Sequence, residues 1–202
     1  MENGQLMTRV KIGKARASYV SVFHPKGVEG AEPKYSISLI IPKENKALIA
    51  QIEQAIKNAF DYGKTTLGAN AKLERIKTPL RDGDEERPDD EAYKGAYFIN
   101  ASCKTKPGVS VFKGTKMVDG KKQNIIEPLD DEEEMYSGCS VYASVNFYAY
   151  NTSGNKGIAA GLNNVLKVAD GEPLGGRSSA EAEFSDMEID EELPATNDED
   201  MF

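Results

Sequence analysis

Residues 141–150 read VYASVNFYAY, and the alternation along them is unbroken. Val141, Ala143, Val145, Phe147 and Ala149 fall on one face, and Tyr142, Ser144, Asn146, Tyr148 and Tyr150 on the other. That is the period-two pattern of a strand with one face in a core. The face away from the apolar row carries three tyrosines, which only a ligand or a second layer of protein would use.

Working outward, the same period recurs at 7–13, 16–23, 96–103 and 109–113. It recurs at 34–41 with Tyr35, Ile37, Leu39 and Ile41 opposite Lys34, Ser36 and Ser38. In MVDGKKQNIIEP (117–128), Asp119-Gly120 predicts a hairpin turn. The period changes once. Apolar side chains at 48, 49, 52, 55, 56, 59 and 60 predict an amphipathic helix over 45–62, with Asn45 as N-cap and Gly63 as its stop. Residues 78–95 read as a mobile acidic loop too polar for a core, and 151–176 as glycine-rich and then briefly apolar. Many short strands with one main helix predict a mainly β, α+β chain. The strand count fits a five-stranded OB-type barrel with long loop insertions, although periodicity also admits a small sandwich.

Composition divides the chain in two. Its 202 residues carry 25 Lys and Arg against 33 Asp and Glu. Ten of those carboxylates lie in the last 22 residues, EAEFSDMEIDEELPATNDEDMF, leaving 23 in the body and a body charge of +2. We therefore expect one domain over 1–176 and a disordered acidic tail over 177–202. No 18-residue apolar run is present and the N-terminus lacks a signal-peptide h-region, so a cytoplasmic protein without membrane contact is expected.

Cys103 and Cys139 share no motif spacing and read as small buried or half-buried thiols. With His24 as the lone histidine, they fall short of a zinc set, and no metal or other cofactor is expected. No nucleophile elbow, P-loop or GxGxxG stretch occurs. The carboxylates Asp82, Asp84, Glu85, Asp89 and Asp90 could serve a two-metal nuclease only from a rigid element, and this run reads as a loop. The chain is not expected to be an enzyme.

What the strands do supply is cations interleaved with aromatic side chains, the pairing that tracks a phosphate backbone and stacks bases. Candidate stacking residues are Tyr19, Phe98, Phe112, Tyr142, Tyr148 and Tyr150. Candidate phosphate contacts are Arg16, Lys34, Lys104, Lys106 and Lys113. Alternatively the helix or a dimer partner covers the tyrosine face, and the chain is a protein-interaction adaptor whose tail is its functional peptide.

The stretches TPLRDGDEERPDD (78–90), YFINASCKTKPGV (97–109) and GCSVYASVNFYAYNTSGNKGIAAGLNNVLKVADGEPLGG (138–176) resemble a bacteriophage family of single-stranded-DNA-binding proteins. The resemblance runs from about Lys11 to Gly176. It implies an OB-fold acting in phage replication or recombination in the host cytoplasm, with single-stranded DNA as ligand. The acidic tail is similar to those of bacterial and short-tailed-phage single-strand binders, which dock on partner enzymes and restrain non-specific binding. That implies a polymerase, helicase or recombinase as partner through Asp198, Glu199, Asp200, Met201 and Phe202, and a homodimer is compatible with it. Bacterial tails often place proline beside the terminal phenylalanine, whereas this chain has methionine there.

Overall fold

The alternation at 141–150 is realised in β7 (Ser140–Thr152). Val141, Ala143, Val145 and Phe147 are buried, while Tyr142 and Tyr148 are exposed on the other side. The computed structural model describes residues 7–27, 30, 32–152 and 154–175, so the acidic tail lies outside the described residues. Around β7 stand β1 (Arg9–Lys26), β2 (Lys34–Pro42), β3 (Leu80–Asp82), β4 (Ala96–Cys103), β5 (Gly108–Val118), β6 (Lys121–Pro128) and β8 (Asn155–Ala169). Their order is β3-β4-β2-β1-β7-β8-β5-β6, with an added pairing between β4 and β8.

That pairing is parallel and closes β1, β2, β4, β7 and β8 into the five-stranded barrel expected of an OB-fold. Closure removes the open edges that a sandwich would leave. The core holds Ile12, Ile37, Leu39, Ile41, Ile99, Val141, Val145 and Phe147, each at most 2% exposed.

Strand β1 is long enough to serve two neighbours because it bends. The sequence predicts separate strands at 7–13 and 16–23, yet the structure has one strand of 18 residues. Its first half pairs with β7 and its second with β2. The register shifts between Ile12 and Ala15 and again between Ser18 and Ser21. Lys14 (φ 53°) and Tyr19 (φ 46°) sit at these two bulges, in the left-handed region that side chains rarely adopt.

The main helix is α1 (Lys46–Tyr62), and it buries the seven apolar positions expected of it. Asn45 occupies the N-cap position, but its side chain makes no capping hydrogen bond. Gly63 follows with φ −90°, so it is not a left-handed stop. A glycine is needed there because a Cβ would collide with Ala149 of β7. Asn58 Nδ2 donates to Met7 O (2.9 Å), fixing α1 to the start of β1. A short turn, α2 (Lys64–Leu67), continues the cover, with Asn151 Nδ2 donating to Thr66 O (3.1 Å). No helix among the described residues is long and apolar enough to cross a membrane.

Two segments depart from expectation. Residues 78–95 are not a free loop. They form β3, the turn α3 (Gly83–Glu86) and a 3-10 turn at Glu91–Tyr93, and they cover the outer face of β2 and β4. Tyr93 is fully buried there and meets Phe98 edge-on, with ring centroids 5.1 Å apart. The second departure is β8, a 15-residue strand that the glycine-rich reading of 151–176 passed over. The hairpin at Asp119 (φ 49°) and Gly120 (φ 72°) is where the sequence places it. Cys139 is buried and Cys103 half-buried, and burial pushes both thiols up.

The packing separates core from periphery sharply enough to test. Ile52 is fully buried on α1, whereas Ile126 on β6 is 49% exposed. Ile52→Ala should cost about 2–5 kcal/mol in chemical denaturation, and Ile126→Ala no more than about 0.5 kcal/mol. Equal costs would contradict the placement of α1 in the core.

Candidate nucleic-acid interface

The barrel closes over only two residue pairs, Ala101 with Ala160 and Ser102 with Gly161. Toward the start of β4 and β8 the strands part, and residues 77–80 enter the gap. Lys77 bridges to Gly157, with Ile158 N donating to Lys77 O (2.9 Å). Gly157 is required there, since a Cβ would lie 2.5 Å from Lys77 O. The result is an open groove of about 1010 Å3. Ile158, Ala159 and Ala160 line it from β8; Tyr148, Tyr150 and Thr152 from β7; Asn100 and Ser102 from β4. Lys34, Lys77 and Arg81 supply positive charge, and Glu86 the one acidic side chain among the described residues lining it.

The two tyrosines face the groove for a local reason. The cross-strand neighbour of Tyr148 is Ala159, and that of Tyr150 is Gly157. Directly opposed residues share a sheet face, and these two are too small to cover a ring. Tyr148 is accordingly 45% exposed. Tyr142 is opposed by Leu166 instead, and its ring packs on Gly13 of β1. It lies outside the groove.

At one end of the groove the arginines of the 78–95 segment form a stack with aromatic rings. The Arg81 guanidinium lies 4.8 Å from the Phe98 ring centre, and that of Arg87 lies 5.2 Å from it. Arg87 also lies 4.5 Å from the Tyr93 ring and 4.9 Å from the Tyr19 ring, and donates from Nη1 to the Tyr19 hydroxyl (3.0 Å). Tyr19 is 62% exposed, so the stack continues the groove to a second open aromatic surface. Phe98 must be corrected: it is fully buried between Tyr93 and the two guanidiniums and offers no face to a base. The strand-face reading put it outside, rightly, but the 78–95 segment covers that part of the sheet.

The remaining candidates are scattered. Arg16 Nη2 donates to Glu172 O (2.6 Å) beside a second hollow, of about 510 Å3, that also holds Lys14 and Lys94. Lys104 pairs with Glu32 (2.5 Å), and the Lys106 ammonium lies 5.3 Å from the Phe23 ring. Phe112 is half-buried on β5, and Lys113 sits at the bulge beside it. Of the eleven body candidates, Lys34, Tyr148 and Tyr150 therefore share the groove, and Tyr19 adjoins it. Lys77, Arg81 and Arg87 were missed because they lie in or beside a segment dominated by carboxylates.

Those carboxylates are engaged locally. Lys43 Nζ bonds Asp82 (2.6 Å) and Asp84 (2.7 Å), which holds its ammonium above the ordinary lysine range. Hydrogen bonds from Lys43, and then from Gly95 N, hold the Asp84 carboxyl below its usual range. Arg81 Nε donates to both Glu86 oxygens (2.9 and 2.8 Å), and this bond holds Glu86 low as well. Glu86 thus occupies the anion position of the groove's arginine.

Comparison with known proteins gives four findings. A family model described as the single-stranded-DNA-binding protein of Enterobacter phage Enc34 matches residues 8–194. A putative protein p50 of Acyrthosiphon pisum secondary endosymbiont phage 1 is 31% identical over 196 residues, covering 91% of this chain and 96% of p50. The single-stranded-DNA-binding protein of bacteriophage Enc34, solved in complex with single-stranded DNA, superposes with a TM-score of 0.68. It is 31% identical, over 83% of this chain and 90% of its own. The single-stranded DNA binding protein gp2.5 of bacteriophage T7, at 18% identity and a TM-score of 0.50, shares the fold over 92% of this chain and 96% of its own. The chain belongs to the Enc34 single-stranded-DNA-binding family.

Because Glu86 competes with any incoming anion for Arg81, Glu86→Gln should tighten the groove on a polyanionic probe such as labelled oligo-dT. The expected gain is about two- to fivefold, the worth of a surface ion pair of roughly 0.5–1 kcal/mol. Unchanged or weaker uptake in an anisotropy titration would show that Arg81 is not a groove contact.

Proposed function

We propose that this member of the Enc34 family is itself a non-enzymatic, non-sequence-specific coat for single-stranded DNA in phage replication or recombination. The observation that carries this is the placement of exposed Tyr148 and half-buried Tyr150, over small cross-strand neighbours, on a groove that also holds Lys34, Lys77 and Arg81. Bases stack on the tyrosines, and Tyr19 with its Arg87 backing offers a further platform. The cations take the phosphates. Neither contact reads base identity, because every base has a π-face and every nucleotide a phosphate. Asn100, Ser102 and Thr152 add polar atoms without fixing a sequence.

The tail completes the reading. Its ten carboxylates make it a polyanion tethered to a DNA-binding body, so it competes with DNA for the cations when DNA is absent. Released, it is offered to a polymerase, helicase or recombinase through Asp198, Glu199, Asp200, Met201 and Phe202. The setting is the host cytoplasm.

In anisotropy titrations with oligo-dT, Tyr148→Ala and Tyr150→Ala should each weaken binding by about 1–3 kcal/mol, the worth of one stacked base. Tyr142→Ala serves as the control and should leave affinity within about twofold, being outside the groove. Truncation to residues 1–180 should tighten binding, most at low salt where tethered charge competes best. No binding by any of these proteins would sink the reading and leave an adaptor in front. Equal affinity with and without the tail would remove the competition alone.

A further inference from the structure

Strand β5 leaves the barrel early. It pairs with β8 from Gly108 to Val111, and beyond that its neighbour among the described residues is β6. Residues 112–126 are thus a two-stranded ribbon that extends past the last β8 pairing. From Phe112 to the turn at Asp119, at ~3.3 Å per residue, it reaches roughly 20 Å beyond it. Lys113, Lys116, Lys121 and Lys122 lie on this ribbon against one acidic residue, Asp119. None of the four lysines has an ion-pair partner among the described residues. The groove cations Lys34 and Lys77 likewise have no ion-pair partner among the described residues, so ribbon and groove both present uncompensated positive charge.

The ribbon also exposes apolar side chains beside its charges. Met117 opposes Lys122 and is 67% exposed, while Val118 opposes Lys121 and is 40% exposed. Each face therefore offers a cation next to an uncovered apolar group. Single-stranded DNA presents both together, an anionic backbone with apolar base faces, at every nucleotide. The ribbon is moreover carried by β8, whose first residues line the groove and whose later residues, Asn164 to Lys167, hold β5.

We infer that the β5–β6 ribbon is a second single-stranded-DNA contact, taking up the strand after it leaves the groove. This rests on the reading of the groove as a DNA site. Lys116, Lys121 and Lys122 neutralise phosphates, with Lys113 at the ribbon's base. Met117 and Val118 cover base faces at its tip. The groove alone then sets the affinity for a short oligonucleotide, and the groove with the ribbon sets the affinity and occluded length on a long one.

The test compares the full chain with its K116E/K121E/K122E variant on oligo-dT of two lengths, about 6 and about 25 nucleotides, one within and one beyond the ~4–16-nucleotide range of OB site sizes. Glutamate protects open strand edges as lysine does, so the fold is retained, and a thermal melt checks this. On the long oligonucleotide the variant should bind at least tenfold more weakly at low salt. Its plot of log affinity against log salt should be shallower by about 2, roughly 0.7 for each of three lost phosphate contacts. On the short one the two proteins should agree within twofold. The glutamine version, K116Q/K121Q/K122Q, should fall between them on the long oligonucleotide. Equal binding by the variant at both lengths would overturn the ribbon contact while leaving the groove intact. Equal loss at both lengths would overturn it too, since the effect would not then be an extension. Failure of the unmodified chain to bind either length would instead remove the groove reading on which the inference stands.

Discussion

The parallel contact between β4 and β8 governs the rest of the molecule. It closes the barrel through Ala101, Ser102, Ala160 and Gly161, and its brevity leaves the strands free to diverge on both sides. On one side the divergence admits residues 77–80 and opens the groove. On the other, β8 exchanges β4 for β5 and launches the ribbon. A longer pairing would give a smoother barrel with neither feature. The fold therefore opens its binding surfaces at the seam where the barrel's pairing is shortest.

Charge is distributed to match. The body is close to neutral overall, yet its carboxylates in the 78–95 segment are largely occupied by Lys43, Arg81 and backbone amides. What reaches solvent around the groove and along the ribbon is mostly cationic. An anion entering the groove displaces Glu86 from Arg81 at little cost, because the ion pair is partly exposed and weak in water. The stack around half-buried Arg87 differs in kind. Its guanidinium is fixed by three rings and the Tyr19 hydroxyl, so it orders Tyr19 before any ligand arrives.

Much of this was legible in the chain, for reasons that differ by element. Strand β7 and helix α1 declare themselves because each has one buried face and a regular period, and the seven buried positions of α1 follow directly. Strand β8 does not. Gly157 is imposed by the close approach of the Lys77 backbone, Gly161 lies against the Asn146 side chain, and the two glycines erase its alternation. Strand β1 looks like two strands because its bulges at Lys14 and Tyr19 interrupt the pattern without ending the pairing. Tyr148, Tyr150 and Lys34 could be picked from face and chemistry alone. Phe98 could not be excluded that way, because what buries it is a segment whose composition is acidic and whose packing rests on one residue, Tyr93. Lys77, Arg81 and Arg87 enter the site through tertiary placement, which no local period encodes.

The most direct test of the account is photo-cross-linking of full-length protein to 5-iodouracil-substituted oligonucleotide, with the attached peptides read by mass spectrometry. Base attachments are expected at Tyr148, Tyr150 and Tyr19, the aromatic surfaces of the groove and its arginine-backed extension. Attachment confined to Tyr142 and Phe112, with the groove tyrosines unmodified, would contradict it.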